Sequence, residues 1–444
     1  MGIQNFPAAL QPAIQQGFLV REFESGLRSR LGFRDIADRE EFPNKVGETI
    51  TKTRNGLKAP TTTPLNPSTN TNLDNGMSPS QWTIEQYVLG INMYGDTIDL
   101  NMVTQGVGIA NQFLVNANVN GVQSAQSLDR IARNALFGAY LGGNTRVRTT
   151  LGAAGTTISV DDIRGFQQVY VDGSGLTPGN GTMVPVNGSN TMQVTVGSNV
   201  YTLTAATADA TNVSTAPQGI SGTLTFSTNV TVADGTAGNA VLSQTGATIY
   251  RPNGRLTTAA LQAGDTLTMQ TVLAAVATLR GNAVPTVRGL YNCYIDDIQL
   301  LGLFKDGDFK LLYRGAYGSE EYKTGQIIEL LGVRFIPTNE APQQNLAGVG
   351  AVHRAIVCGQ GALIEGDYAG IGYSDLAGDN ALIEMVDSVC MVTREPIDRL
   401  QQIIAQSWYW IGGFAVPTDV TATQLIIPTA TTSYFKRAVV LESL

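Results

Sequence analysis

The stretch 104–141, TQGVGIANQFLVNANVNGVQSAQSLDRIARNALFGAYL, constrains this chain more than any other. In its second half Leu128, Ile131, Ala132, Ala135 and Leu136 recur at three and four residues, the spacing of one helix face. Asp129, Arg130, Arg133 and Asn134 fall opposite. In the first half Val107, Ala110, Leu114 and Ala117 continue the stripe, although Gly106, Gly108 and Gly121 each cost about 1 kcal/mol against alanine. Gly142-Gly143 is a common helix ending. One helix of roughly 35 residues would run about 50 Å, against a globular average of about 11–12 residues. A long helix with a narrow apolar face fits a strut in a flat, extended protein. Two ordinary helices with a break near Asn118–Gly121 are the alternative.

The totals narrow the class. A chain of 444 residues has room for two or three domains. Apolar residues make up 43%, enough for sizeable cores, while charged residues are only 14%, against about 25% on average. Gly, Thr, Asn and Ala fill the gap, which favours β-structure and surfaces buried between copies of the chain. The net charge of -8 and pI near 4.8 exclude tight nucleic-acid binding over the whole surface, which needs clustered Lys and Arg. Cys293, Cys358 and Cys390 lie far apart and form no CxxC pair, so reduced core residues in a reducing cytoplasm are expected. The first twenty residues carry no charged side chain and so no basic n-region of a secretory signal. No uncharged apolar run approaches the length of a membrane span.

Along the chain, residues 1–44 read as an arm. From Arg21 to Lys58, nine of the 28 basic residues are interleaved with seven acids. Such mixing marks a solvated or salt-bridged face, with ion pairs between subunits the leading expectation and a polyanion site the weaker one. Residues 45–98 read as a long hairpin, with strands near Gly47–Thr53 and Gln81–Asn92 around a tip rich in Pro and Asn. An isolated two-stranded hairpin is marginal in water, so it should lie on a neighbouring copy. Between Arg164 and Arg251 there is no Lys or Arg and only Asp172, Asp209 and Asp234 as acids. Short Val/Thr runs between Gly, Asn and Asp turns there predict a small all-β barrel or sandwich over 151–256. Asn187, Asn212 and Asn229 match the glycosylation pattern, as an Asn- and Thr-rich segment does by chance. From Asp265 the pattern turns α/β. Thr268 should cap a helix closed by Gly281, Gly289–Ile295 should be a buried strand, and Asp296-Asp297 should start a short helix. Residues 305–345 read as turn-rich, ending in a strand at Val333–Ile336.

Five stretches carry a resemblance: LGFRDIADREEFPNKVGETITKTR (31–54), SLDRIARNALFGAYLGG (127–143), TLRGNAVPTVRGLYNCYIDDIQLLGLFKDGDF (278–309), GQIIELLGVRFIPTNEA (325–341), and the closing WYWIGGFAV with VVLES. In their order and spacing they resemble tailed-bacteriophage major capsid proteins with the HK97 fold, specifically the N4-gp56-like coat family. The resemblance implies an α+β capsid fold: N-terminal arm (1–44), E-loop hairpin (45–98), P-domain with a spine helix (99–150 and 381–444), β-rich insertion (151–256) and A-domain (257–380). It implies a coat subunit that assembles with itself into pentamers and hexamers of an icosahedral head around double-stranded DNA touched non-specifically. It also implies scaffolding, portal and decoration proteins as partners, no membrane, synthesis in the host bacterial cytoplasm and a place in the virion. Heterologous contacts that close into rings, arms that enlarge interfaces beyond about 1,600 Å² and register-setting charges agree with that reading. Some members of the fold class crosslink through a lysine on this loop, where Lys52 and Lys58 lie here, but nothing in the sequence places an acceptor Asn or a catalytic acid.

Chemistry is otherwise sparse. The single histidine, His353, sits in a predicted strand, where a satisfied core or interface role is the commoner one. No GxSxG and no GxxxxGK[ST] is present, and Gly359-Gln-Gly361 is too short for a dinucleotide fingerprint. Asp306-Gly-Asp308 reads as a tight turn between helix and strand, and Asp296-Asp297 as a helix cap. No clustered Cys or His ligands exist, so catalytic, cofactor and metal residues are all expected to be none. The rival readings are another shell or tube protein (a tail component or an encapsulin-like compartment) and a hydrolase using His353.

Overall fold

The computed structural model describes residues 18–28, 32–42, 49–58, 60, 82–101, 109–171, 182–243, 246, 248–255, 258–314, 329–346, 350–368, 383–394, 396, 399–400, 402–417 and 433–444. The chain forms two compact units: residues 1–50, 89–136 and 363–416, and residues 51–88, 137–362 and 417–444. It is mixed α+β, with few helices and many strands.

In the first unit the long run is one continuous helix, Ile109–Tyr140, of 32 residues, and the division between units falls after its Leu136. Phe113, Ala117, Ala125 and Leu128 bury their side chains against Trp408, Trp410, Val389 and Met391. The sheet beneath runs in the order 37–42, 363–368, 403–415, 389–394, 383–386, with 92–101 also on 403–415. That last pairing is a ten-residue antiparallel ladder from Ile403 opposite Asn101 to Gly412 opposite Asn92. Buried polar groups fix the helix on the sheet: Asn120 donates to the Gln406 carbonyl and Gln406 donates to the Phe113 carbonyl, each at 3.0 Å.

The break expected near Asn118–Gly121 does not occur. Gly121 serves a contact instead. The helix Phe18–Arg28 packs Leu19, Phe23 and Leu27 into the same core, and Gly26 and Gly121 face each other where the two helices cross. A Cβ at Gly26 would stand 2.5 Å from the Asn118 carbonyl oxygen, and one at Gly121 would collide with the Phe23 carbonyl. Residues 18–28 and 32–42 are therefore folded onto their own unit. Phe23 and Phe33 are fully buried, and Ala37–Phe42 pairs in parallel with Leu363–Tyr368. Helix propensity alone would make Gly121→Ala stabilising by about 1 kcal/mol. The clash is with backbone, which cannot step aside, so the variant should lose about 1–3 kcal/mol instead. Its thermal midpoint should fall, and limited proteolysis should cut within 18–28 sooner.

In the second unit a mixed sheet runs 249–250, 438–443, 350–358, 291–295, 333–337, 329–330, with 343–346 on the edge of 350–358. Tyr291–Ile295 is buried along its whole length and lies parallel to Val333–Pro337 but antiparallel to Gly350–Cys358. Two helices supply Val272, Val276, Leu279, Leu300 and Leu303 to its core. Both start as the sequence indicates. Thr268 caps Met269–Gly281 by accepting from the Thr271 N–H, and Asp296 caps Asp297–Lys305 by accepting from the Gln299 N–H at 2.8 Å. The segment expected to be turn-rich instead holds a further helix, Gly307–Arg314. Asp306 thus joins helix to helix, not helix to strand. Its carboxylate accepts from the N–H groups of Met269 (2.8 Å) and Asp308 (3.2 Å).

The Lys- and Arg-free segment folds as a closed barrel. Its six strands run 144–146, 240–243, 192–196, 199–208, 222–230, 155–160. The Val147–Val160 bridge closes the sheet, with Arg148 N–H donating to the Ser159 carbonyl at 2.8 Å and Asp161 N–H to the Arg146 carbonyl at 3.1 Å. Val160, Val194, Val196, Leu203, Leu224 and Val241 fill the interior. Asp234 pins one turn. It accepts from Ser198 N–H, Asn199, Tyr201 and Thr231. Burial pushes its carboxyl up, but those donors outweigh burial and hold it down at about 2. Asn187 accepts backbone N–H groups within its own turn, and Asn212 accepts from the Ser214 N–H and, nine residues on, from the Ser221 N–H.

The segment boundaries differ from the sequence expectation in three places. The barrel takes in Asn144–Arg146, ahead of 151, and is complete at Ser243, while Ile249–Tyr250 belongs to the mixed sheet. Leu363–Tyr368, expected with 257–380, pairs in the first unit. The stretch 381–444 is divided: Ile403–Ala415 lies in the first unit, but Ala438–Ser443 is a central strand of the second.

Candidate functional site

The residues flagged for chemistry are the first to place. His353 lies in Gly350–Cys358 and is buried. Its Nδ1 meets the Asp296 carboxylate, which also caps the following helix. Ser443 stands opposite His353 in the strand register. It is fully buried, and its hydroxyl oxygen accepts from the Gln299 side chain at 3.0 Å. Asp, His and Ser thus come together, but with the serine sealed from solvent and occupied by an amide, the cluster offers a substrate no approach. It ties the cap of one helix to two central strands. The three cysteines are free and buried. Burial pushes the Cys293 thiol up to about 12 and the Cys358 and Cys390 thiols upward too, so they behave as small core residues. Among the described residues, no group of three or more His, Cys, Asp or Glu side chains is placed to hold a metal, and no helix is long and apolar enough to cross a membrane.

The mixed charges of 21–58 act partly within their own unit, where the sequence led us to expect partners on other subunits. Arg34 is nearly buried and grips Glu365 through both Nε (3.0 Å) and Nη2 (2.6 Å). Its Nη2 also donates to Ser388 at 2.9 Å, and its guanidinium lies 5.9 Å from the Trp410 ring centroid. Its backbone N–H donates to Asp129 Oδ1 at 3.1 Å. Asp129, assigned to the solvent face of the long helix, is in fact buried to receive it. Fork-shaped pairing of this kind fixes geometry as well as charge. Arg39 approaches the same Glu365 at 3.9 Å with its own side chain 54% exposed.

A second cluster had no sequence signal. Glu442 lies between Arg251 (Nε to Oε2, 2.6 Å) and Arg354 (Nε to Oε1, 2.8 Å), and Thr258 donates to it at 2.9 Å. All three charged side chains are at most 3% exposed. Burial pushes the Glu442 carboxyl up, but the two guanidinium groups outweigh it and hold it at about 2. Arg354 and Glu442 are directly opposite across the ladder, and Arg251 follows the neighbouring strand.

The hairpin strands are Thr49–Lys58 and Trp82–Gly90, which form a two-stranded sheet of their own. Described side chains of the first strand are all half-buried or exposed, Lys52 half-buried and Lys58 exposed. Among the described side chains of the second, Tyr87 and Leu89 are buried. The tip, 61–81, lies outside the described residues.

No family model matches the chain, and no curated protein does. Among solved structures it is similar to the capsid of cyanophage P-SCSP1u, at 12% identity over 92% of this chain and 86% of that one, TM-score 0.47. It is similar to the capsid of Ralstonia phage GP4, at 10% identity over 92% and 87%, TM-score 0.46. The cyanophage Pam1 capsid follows at 10% identity over 90% and 86%, TM-score 0.46. These structures are phage capsids. Likenesses this remote leave function to be read from the chain's own residues.

Proposed function

We propose that the chain is a major capsid protein, a coat subunit that assembles with copies of itself into the shell of a tailed-phage head. The observation that carries this is the ribbon of Thr49–Lys58 and Trp82–Gly90. Its first strand has no buried side chain among those described, yet a two-stranded ribbon is marginal in water unless something covers it. A neighbouring copy is the surface that a shell subunit always has at hand. In the first unit a 32-residue helix is laid along a sheet, the kind of firm element such a ribbon needs behind it. The sequence resemblance to HK97-type coat proteins points the same way, and the similar solved structures are capsids.

The finer picture follows from that reading. Subunits close into pentamers and hexamers through heterologous contacts. The enclosed DNA is touched non-specifically by a subunit whose net charge is -8, and scaffolding, portal and decoration proteins are separate chains. The role is structural rather than catalytic, with synthesis in the host cytoplasm and a final place in the virion. Negative-stain electron microscopy of the recombinant chain, alone and with scaffold or polyanion, should show closed shells or five- and six-membered rings. Replacing residues 55–85 with a short Gly-Ser link should abolish them while leaving a folded monomer. Open tubes from the intact chain, or normal shells from the shortened one, would overturn the proposal.

A further inference from the structure

A small cleft of about 30 Å³ opens within the second unit, at the foot of the barrel. Arg146, Arg251 and Arg354 line it together with Asp161, Asp162 and Glu442. Three cations facing three anions look balanced, but the hydrogen bonds are not. Each carboxylate already has donors of its own. Asp162 accepts from Arg164 through Nε and Nη2 and from the N–H groups of Arg164 and Ile220. Asp161 accepts from the Thr215 N–H at 3.0 Å and hydroxyl at 2.6 Å, with Arg146 at 3.6 Å. Glu442 is held by Arg251, Arg354 and Thr258.

One donor is left over. Arg354 is 2% exposed, its Nε and Nη2 are used by Glu442 and Gln344, and its buried Nη1 has no partner. A buried charged donor without an acceptor is costly, and in native proteins such a group is usually met by a water or an ion. Charge points to which. Asp162 is neutralised by Arg164 behind the cleft wall, so Arg146, Arg251 and Arg354 face only Asp161 and Glu442. One positive charge is in excess, beside the one unmet donor.

We propose that this cleft binds a small oxyanion of phosphate or sulfate type, which accepts from Arg354 Nη1 with Arg146 closing over it. The space holds no more than one such anion and is too small for a nucleic-acid strand. Arg146 is 24% exposed and comes from the barrel, whereas Arg354 and Arg251 come from the mixed sheet or its flank. The anion therefore fastens the barrel to the sheet. This inference does not depend on the coat function.

The test uses the full chain with inorganic phosphate as probe, against chloride at equal ionic strength. Phosphate should raise the melting midpoint by a few degrees, saturably, since a ligand that binds only the folded state stabilises it. Phosphorus NMR should show the phosphate line broaden on adding protein. Arg146→Gln, which leaves the Glu442 cluster intact but costs the buried Asp161 its cation, should melt lower than the wild type yet still cooperatively, and should lose both effects. Absence of both effects in the wild-type chain would mean that water meets the Arg354 donor, and would overturn the proposal. Retention of both in Arg146→Gln would place the anion elsewhere and overturn it too.

Discussion

Replacing Glu442 with Gln is expected to cost the second unit about 3–5 kcal/mol, the range for breaking a buried ion pair by removing one partner. The size follows from what remains. Arg251 and Arg354 would stay buried, each at most 3% exposed, facing a neutral amide, and two guanidinium groups would repel where a carboxylate had joined them. The loss should be local first. Hydrogen exchange should accelerate in 249–255, 350–358 and 438–444, the strands that the cluster joins, more than along the long helix. The pH dependence gives a second check. The Glu442 carboxyl is held at about 2 in the folded chain against 4.5 ordinarily. Its contribution is therefore fully present above about pH 4.5 and is lost as pH falls through 2. The difference between wild type and Glu442→Gln should be constant at neutral pH and shrink on acidification over that window. A constant difference down to pH 2 would mean that shape, not charge, makes Glu442 necessary. Replacing all three side chains by apolar ones of similar volume should recover most of the loss, because the desolvation cost of the charges disappears with them.

How far the sequence revealed this fold depends on the range of each interaction. The long helix was legible because its stripe repeats within a few residues, and the caps at Thr268 and Asp296 because a capping side chain acts within three. The barrel showed through composition, since a segment without Lys or Arg has few means of being anything but a strand-and-turn structure. The helix Gly307–Arg314 was hidden because Lys305-Asp-Gly-Asp reads as a turn. It is a turn, but one whose Asp306 accepts from the Asp308 N–H and so starts a helix rather than a loop. What no local pattern could show were pairs such as Arg34–Glu365, 331 residues apart, and Arg251–Glu442, 191 apart. Asp129 was assigned to solvent on periodicity alone, because its partner is a backbone N–H 95 residues away. Gly121 was counted as a weakness for the same reason: the helix that needs its missing side chain lies almost a hundred positions earlier. The ribbon, by contrast, was legible as a problem. A two-stranded ribbon is marginal alone, and the structure shows its first strand with no fully buried side chain among those described.

The largest expected effect comes from removing the barrel, and it depends on where the cuts fall. The compositional boundary suggests excising 152–254 and closing with a short Gly linker, a change that should spare the rest of the fold if the insertion is an ornament. The structure says this version should fail. It strands Asn144–Arg146 without the neighbour at 240–243. It deletes Ile249–Tyr250, which pairs with Val440–Leu441, and it deletes Arg251, one of the two arginines that hold Glu442. The chain should come out insoluble for reasons unrelated to the barrel. The natural seam lies at the two glycines. Ser243 N–H donates to the Gly143 carbonyl at 2.8 Å, and a Cβ at Gly143 would stand 2.7 Å from the Gly246 Cα. A Cβ stands about 1.5 Å from its own Cα, so the two Cα atoms lie within about 4.2 Å of each other, close to the roughly 3.8 Å that a trans peptide spans, and can be joined directly. Joining Gly143 to Gly246 removes all six barrel strands and keeps the sheet strand, Arg251 and the Glu442 cluster. It also removes Arg164, whose Nη1 donates to the Gly138 carbonyl at the end of the long helix. Losing that bond exposes the carbonyl to water and should cost about 1 kcal/mol, which a folded unit can absorb. The Gly143–Gly246 variant should therefore be soluble, with a cooperative melt and unchanged exchange protection in 291–295 and 350–358. If it is as insoluble as the wider excision, the barrel is part of the folding unit of the sheet, and a closed barrel with a core of its own is not enough to make it separable.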